Sequence, residues 1–285
     1  MKKGIKVLGM NMTAIKGDGM IYEMNKEYIH DGDIECRRSG YHYFENLAYA
    51  LTLYNISQCR VFECELNGDI FDHTNDIHCT NKIKLVRELS KEEIRKHIES
   101  YVDTIDINKY SRLNMCIAKQ GFSQDKFIRC EIPMIRQILA HNRYGLDKLV
   151  NDKDEHVRIE VAKHGYGLDK LVNDEDWRIR LEVAKHGYGL DKLINDKDWA
   201  VRKEVARQGY GLDILVNDED EDVRAEVAKQ GQYLDILIND IDCYVRREVV
   251  RQGYGLDILV NDKDCDVRAE VARMQLELLQ QKANL

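Results

Sequence analysis

A fixed period of 22 residues constrains this chain more than any other feature. Val157-Arg158, Ile179-Arg180, Val201-Arg202, Val223-Arg224, Val245-Arg246 and Val267-Arg268 stand in register. So do Gly165-Tyr166-Gly167-Leu168-Asp169, Gly187 to Asp191, Gly209 to Asp213 and Gly253 to Asp257. A repeat of this size implies stacked supersecondary units, each burying its apolar face only against its neighbours. Such an array predicts a binding surface. A single proline, Pro133, leaves most of the chain free to be helical.

One unit reads from Asp154 to Asp176. Asp154 suits a helix N-cap, because its carboxylate can accept from unpaired N–H groups of the first turn. Val157, Val161 and Ala162 then form an apolar stripe. Gly165 sits where a helix ends on a residue of positive φ. A second, shorter helix of about seven residues carries Leu168, Leu171 and Val172 inward, and Asn173-Asp174 closes it. Counting back, Ile135, Leu139 and Leu146 fit the pattern, and Leu113, Ile117, Ala118, Gly121 and Asp125 fit in degraded form. At the other end the pattern changes after Val271-Ala272, and Met274 onward reads as a capping helix with a polar outer face.

The unit motif Val-Arg-x-Glu-Val-Ala, followed by a turn, a Leu-rich short helix and an Asp cap, resembles HEAT-like repeats, and especially the variant leucine-rich repeat. The resemblance implies alternating long and short helices in a right-handed superhelix. The 22-residue period, and Gly-Tyr-Gly where that family often has Asn-Pro, depart from it. The expected organisation is a small α+β domain over residues 1–108, an all-α solenoid of two-helix repeats over 109–274, and a C-terminal capping helix over 275–285.

Comparing the units with one another separates scaffold from surface. Arg136, Arg158, Arg180, Arg202, Arg224, Arg246 and Arg268 form a ladder. From Arg158 onward each has an Asp four residues before it, and pairing with that acid and its neighbours is the preferred reading over a phosphate-binding stripe. The variable positions are more informative. Trp177 and Trp199 are the only two tryptophans and occupy the same place in successive units. With Ile159, Leu181 and Lys203 they form an expected partner anchor, since Trp and Arg dominate interface hot spots. Lys148, Lys170 and Lys192 give way to Ile214, Ile236 and Ile258, an apolar strip for a partner or a homodimer.

The first hundred residues lack the period. Lys6 to Leu8, Arg60 to Leu66 and Lys82 to Val86 alternate as strands, Glu45 to Tyr54 reads as a helix, and Ser90 to Glu93 is a capping box opening another. The series Ile21-Tyr22-Glu23, Cys36 to His42, Glu45-Asn46-Leu47, Arg60 to Glu65 and Asn81 to Leu89 resembles an uncharacterised domain family common in phage and bacterial proteins. The same order also resembles ADP-ribosyltransferases at fold level. That resemblance implies Tyr22, His42 and Glu63 or Glu65 around a nicotinamide dinucleotide. Cys36, His42, Cys59, Cys64, His73, His78 and Cys79 offer thiols and imidazoles, but no Cys-x2-Cys pair, so no metal is expected. No cofactor is expected either.

The net charge of −8 lacks the concentrated positive surface that a phosphate backbone needs, so nucleic acid is not an expected partner. No run approaches the roughly 18 apolar residues of a membrane span, and the 8 cysteines lack disulfide-framework spacing, which fits a cytoplasmic protein. The resulting expectation is a non-catalytic adaptor or inhibitor that grips another protein. The resemblance of the head implies a phage or prophage setting and a bacterial defence complex as target. The competing class is an ADP-ribosyltransferase-like enzyme whose solenoid recruits the target.

Overall fold

The computed structural model describes residues 2–14, 20–32, 34, 40–72, 77–109 and 112–283. The chain divides into two compact units, Met1–Gly145 and Leu146–Leu285.

The first unit contains a seven-stranded antiparallel sheet of strands β1 (Lys2–Gly9), β2 (Glu27–Ile29), β3 (Tyr41–Phe44), β4 (Cys59–Leu66), β5 (Ile70–Asp72), β6 (Ile77–Thr80) and β7 (Lys82–Glu88). Their spatial order is β2-β7-β4-β1-β3-β6-β5. β1 and β4 pair along their full length, from Lys2 with Leu66 to Gly9 with Cys59. Alternation along the strands sends Leu8, Tyr41, Tyr43, Phe62, Cys64, Leu66, Ile83 and Leu85 into one buried cluster with Tyr22. Ile5, Val7 and Val61 turn to the other face, where α1 (Leu47–Ala50) and α2 (Lys91–Val102) lie. The capping box at Ser90 and Glu93 is formed in both directions.

The helix expected over Glu45 to Tyr54 is shorter. Asn46 caps it by accepting from Ala48 N, and only Leu47–Ala50 is helical. The carbonyls of Leu51 and Tyr54 instead accept from Gln120 Nε2 at 3.1 and 2.9 Å. Ile56 N donates to Gln120 Oε1 at 2.9 Å. One distant amide thus satisfies backbone groups left free beyond the end of the helix. Gln120 ends α3 (Arg112–Lys119), the first helix of the repeating part. α4 (Gln124–Phe127) and α5 (Pro133–His141) complete this unit, with Leu113, Ile117, Ala118, Ile135 and Leu139 buried as the repeat predicts.

The second unit is a regular series of helices. Short ones are α6 (Leu146–Leu149), α8 (Leu168–Leu171), α10 (Leu190–Leu193), α12 (Leu212–Leu215), α14 (Leu234–Leu237) and α16 (Leu256–Leu259). Long ones are α7 (Glu155–Lys163), α9 (Trp177–Lys185), α11 (Trp199–Arg207), α13 (Glu221–Lys229), α15 (Cys243–Arg251) and α17 (Cys265–Ala283). The short helices have four residues rather than seven, because the chain turns at the Val-Asn or Ile-Asn pair immediately after the second leucine. Asp154, Asp176, Asp198, Asp220 and Asp242 each cap a long helix through the backbone N–H two residues on.

The arginine ladder is structural, but its partners differ from those expected. The cap aspartates accept backbone N–H donors. Arg158, Arg180, Arg202, Arg224 and Arg246 each reach instead to the aspartate sixteen residues ahead. Arg158 Nε and Nη2 donate to Asp174 at 2.7 and 3.0 Å, while Nη1 donates to the carbonyl of Asp152 at 2.7 Å. Arg180 with Asp196, Arg202 with Asp218, Arg224 with Asp240 and Arg246 with Asp262 repeat this fork. Each planar guanidinium thus joins the end of one short helix to the end of the next, in a bidentate geometry that only arginine provides.

Candidate functional site

Two surfaces of the second unit carry the variable residues. On the long helices, Trp177 and Trp199 stand one period apart, 41% and 43% exposed. Ile159 and Leu181 are half-buried beside them. Lys203 lies over the Trp199 ring, 5.4 Å from its centre, and pairs with Asp222 at 3.0 Å. The lysine is thereby fixed as a flank to the aromatic surface. Arg178 is likewise held by Asp176, whose carboxyl the guanidinium keeps below the usual carboxylate range.

On the short helices, Ile214, Ile236 and Ile258 are 54%, 48% and 60% exposed. The leucines on either side of each isoleucine point inward, so the isoleucine adds nothing to the core. In α6, α8 and α10 the same place holds exposed Lys148, Lys170 and Lys192. An exposed aspartate, Asp213, Asp235 or Asp257, precedes each isoleucine. The strip is therefore apolar and acidic together. Tyr210 and Tyr254, 43% and 41% exposed, stand in the turns before two of these helices. They are surface residues as much as packing ones.

The head does not bring its sequence candidates together. Tyr22 is buried in the cluster on one face of the sheet, 5.0 Å from the Tyr28 ring and beneath the Lys6 ammonium. His42, Glu63 and Glu65 alternate to the opposite face, since their strand neighbours Tyr41, Tyr43, Phe62, Cys64 and Leu66 fill that cluster or its edge. A cleft of ≈ 470 Å³ lies on this second face, lined by Lys3, Glu45, Asn46, Glu63, His97 and Tyr101 among others. Of the four residues implied by the enzyme resemblance only Glu63 reaches it. Its carboxylate is already engaged by Arg87, at 3.0 Å to Nε and 2.6 Å to Nη2.

Of the thiols and imidazoles of the head, His42 and Cys79 are register partners across β3 and β6, with His78 beside them on β6. Cys36 and His73 lie outside the described residues. Cys64 is buried, and desolvation pushes its thiol up to about 12, which disfavours the thiolate that metal binding or nucleophilic attack requires. Burial also raises Cys59. Among the described residues the groups close enough to share an ion are Asp154-Glu155-His156 and Asp264-Cys265-Asp266, both at long-helix starts and neither in the head.

Sequence comparison of the repeats located the isoleucine strip and the tryptophan pair. The change of pattern after Ala272 corresponds to one continuous last helix. α17 does not turn where α15 and its predecessors do, and beyond Ala272 it presents Leu276 and Leu279, 60% and 63% exposed, beside polar Gln275 and Gln280. Among the described residues, no helix is long and apolar enough to cross a membrane. No match to the chain was found among curated proteins. Residues 2–97 match the model of a family described as a domain of unknown function, DUF7666.

Proposed function

We propose that this chain is a non-catalytic protein–protein interaction module whose repeats hold another protein. The observation that carries the reading is the isoleucine strip. Ile214, Ile236 and Ile258 recur at one place on α12, α14 and α16, about half exposed, where the preceding units have lysine. A solvent-facing position has no packing reason to change from Lys to Ile in three consecutive units, and exposed apolar strips of this kind mark interfaces. Trp177, Leu181, Trp199 and Lys203 supply a second anchor of the composition found at interface hot spots. The regular Val, Leu, Arg, Asp and Gly of the array act as scaffold. Action as an adaptor or inhibitor in a cytoplasm, and a phage or prophage origin directed at a bacterial defence complex, extend this reading; they draw only on the resemblance of the head and the thiol usage.

The test compares the tagged chain with the triple variant Ile214→Lys, Ile236→Lys, Ile258→Lys, which restores the residue of the earlier units. The expected result is loss of co-purifying protein from host lysate, with unchanged helical circular dichroism. Undiminished capture by the triple variant overturns the strip as the binding surface. A chain that is dimeric by light scattering, and monomeric in the triple variant, identifies a second copy as the occupant.

A further inference from the structure

The last unit of the array is open in a defined way. Three positions that are covered in the preceding units are uncovered here. The residue after the short helix is buried as Val172, Ile194, Val216 and Ile238, but its counterpart Val260 is 41% exposed. The arginine is buried as Arg158, Arg180, Arg202 and Arg246, but Arg268 is exposed. The small residue of the long helix is fully buried as Ala162, Ala184, Ala206, Ala228 and Val250, but Ala272 is exposed.

The open arginine is nonetheless set in place. Arg268 Nη1 donates to the carbonyls of Asp262 and Lys263 at 2.7 and 3.1 Å. Arg246 Nη1 makes the matching pair with Asp240 and Ile241 at 2.8 and 3.1 Å. Arg246 then donates through Nε and Nη2 to Asp262 at 2.7 and 2.8 Å. Among the described residues, Nε and Nη2 of Arg268 make no hydrogen bond. The side of α17 that holds Arg268 and Ala272 continues, at helical spacing, to Leu276 and Leu279.

The internal units show what this surface receives. A glycine of positive φ passes over the buried Val or Ile: a Cβ on Gly189 would lie 2.6 Å from Val172 Cγ2, and one on Gly211 would lie 2.1 Å from Ile194 Cδ1. A four-residue helix with leucine at each end follows, and an aspartate seven residues after the glycine, as Asp218 after Gly211, enters the fork of Arg202. We propose that the open end docks a segment of a partner protein with this chemistry: a glycine turn, a short Leu-containing helix and a following carboxylate. A second copy fits less well. The exposed side of α17 presents Arg268, Ala272, Gln275, Leu276 and Leu279, with no carboxylate to offer an arginine. The nearby acids Glu270 and Glu277 are tied to Arg273, and Glu270 also to Arg251. This surface is separate from the isoleucine strip and stands or falls without it.

The probe is a fluorescent peptide of residues 209–230, one full period beginning at the glycine turn, titrated with the full-length chain. Saturable anisotropy is expected. Arg268→Gln in the chain, or Asp218→Asn in the peptide, weakens binding by about ten- to a hundredfold, the range for a charge-assisted pair. The double combination shows little further loss, as two groups of one contact require. The exposed position of Arg268 leaves the fold intact, which circular dichroism verifies. Absence of saturation up to about 1 mM, or binding indifferent to both substitutions, overturns the proposal. So does a chain that dimerises by light scattering and is made monomeric by Leu276→Asp, since the occupant is then a second copy.

Discussion

At the scale of single residues, the arginine fork distinguishes scaffold from surface. Arg202 and Asp218 are almost fully buried, with side-chain exposures of 9% and 7%. Removing one member leaves the other charged and desolvated, which costs about 3–5 kcal/mol. Arg202→Met is therefore expected to lower the unfolding free energy by that order, read as a fall in the urea midpoint at unchanged m. Arg202→Met with Asp218→Leu recovers part of the loss, because no orphaned charge remains. Arg268→Met, at the exposed rung, changes stability by less than about 0.5 kcal/mol. Equal losses at positions 202 and 268 would contradict the ladder's assignment. The sequence showed that these arginines repeat, and that acids surround them. It did not show which acid, because helical periodicity exposes only partners three or four residues apart. The real partner lies beyond a turn and a second helix, and the nearer aspartate is occupied by a backbone N–H.

At the scale of elements, the turn between long and short helix is governed by φ and by close approach. Gly209 and Gly211 have φ of 74° and 60°. A Cβ at Gly209 meets nothing within 4 Å, whereas one at Gly211 meets Ile194 Cδ1 at 2.1 Å. Gly209→Ala therefore carries only the left-handed backbone penalty of about 1–2 kcal/mol. Gly211→Ala adds the displacement of Ile194 and is the more destabilising of the two, as thermal melts would rank them. Three turns break this rule: Ser123, Arg143 and Tyr233 stand where the other units have glycine, at φ 53°, 60° and 56°. Tyr233→Gly is expected to stabilise the chain by up to about 1 kcal/mol, and a fall in melting temperature would show that the tyrosine ring contributes more than its backbone costs. The glycines were legible as turn markers from their spacing. The length of α1 was not, since its residues suit a longer helix, and the free carbonyls beyond its end are met by Gln120, distant in sequence. The isoleucine strip was legible because the repeats serve as each other's controls. The exposure of Val260, Arg268 and Ala272 was not, because it depends on what packs against these residues rather than on the residues themselves.

At the scale of the whole molecule, stability depends on carboxylates held ionised by arginine. Hydrogen bonds from Arg273 and then Arg251 lower Glu270 to about 2, and Arg246 lowers Asp262 from its ordinary 3.8. Arg178 does the same for Asp176. A carboxyl whose value is depressed by folding contributes stability that is complete above its ordinary value. That contribution is lost as pH falls through the folded one. For Glu270 the window runs from 4.5 down to about 2. Over that window the chain's 51 acidic residues lose their charge while 43 Lys and Arg and 9 His remain positive, so self-repulsion grows as the rungs are protonated. Units that contact only their neighbours have no distant contacts to resist this. The melting temperature followed at 222 nm should thus be nearly flat from about pH 7 to 5 and fall steeply below about 4.5. Glu270→Gln is expected to begin lower at neutral pH and to lose less on acidification, because its share of the linkage is already gone. A melting temperature independent of pH across the window, or an identical fall in the variant, would mean that apolar packing rather than the arginine–carboxylate contacts holds the units together.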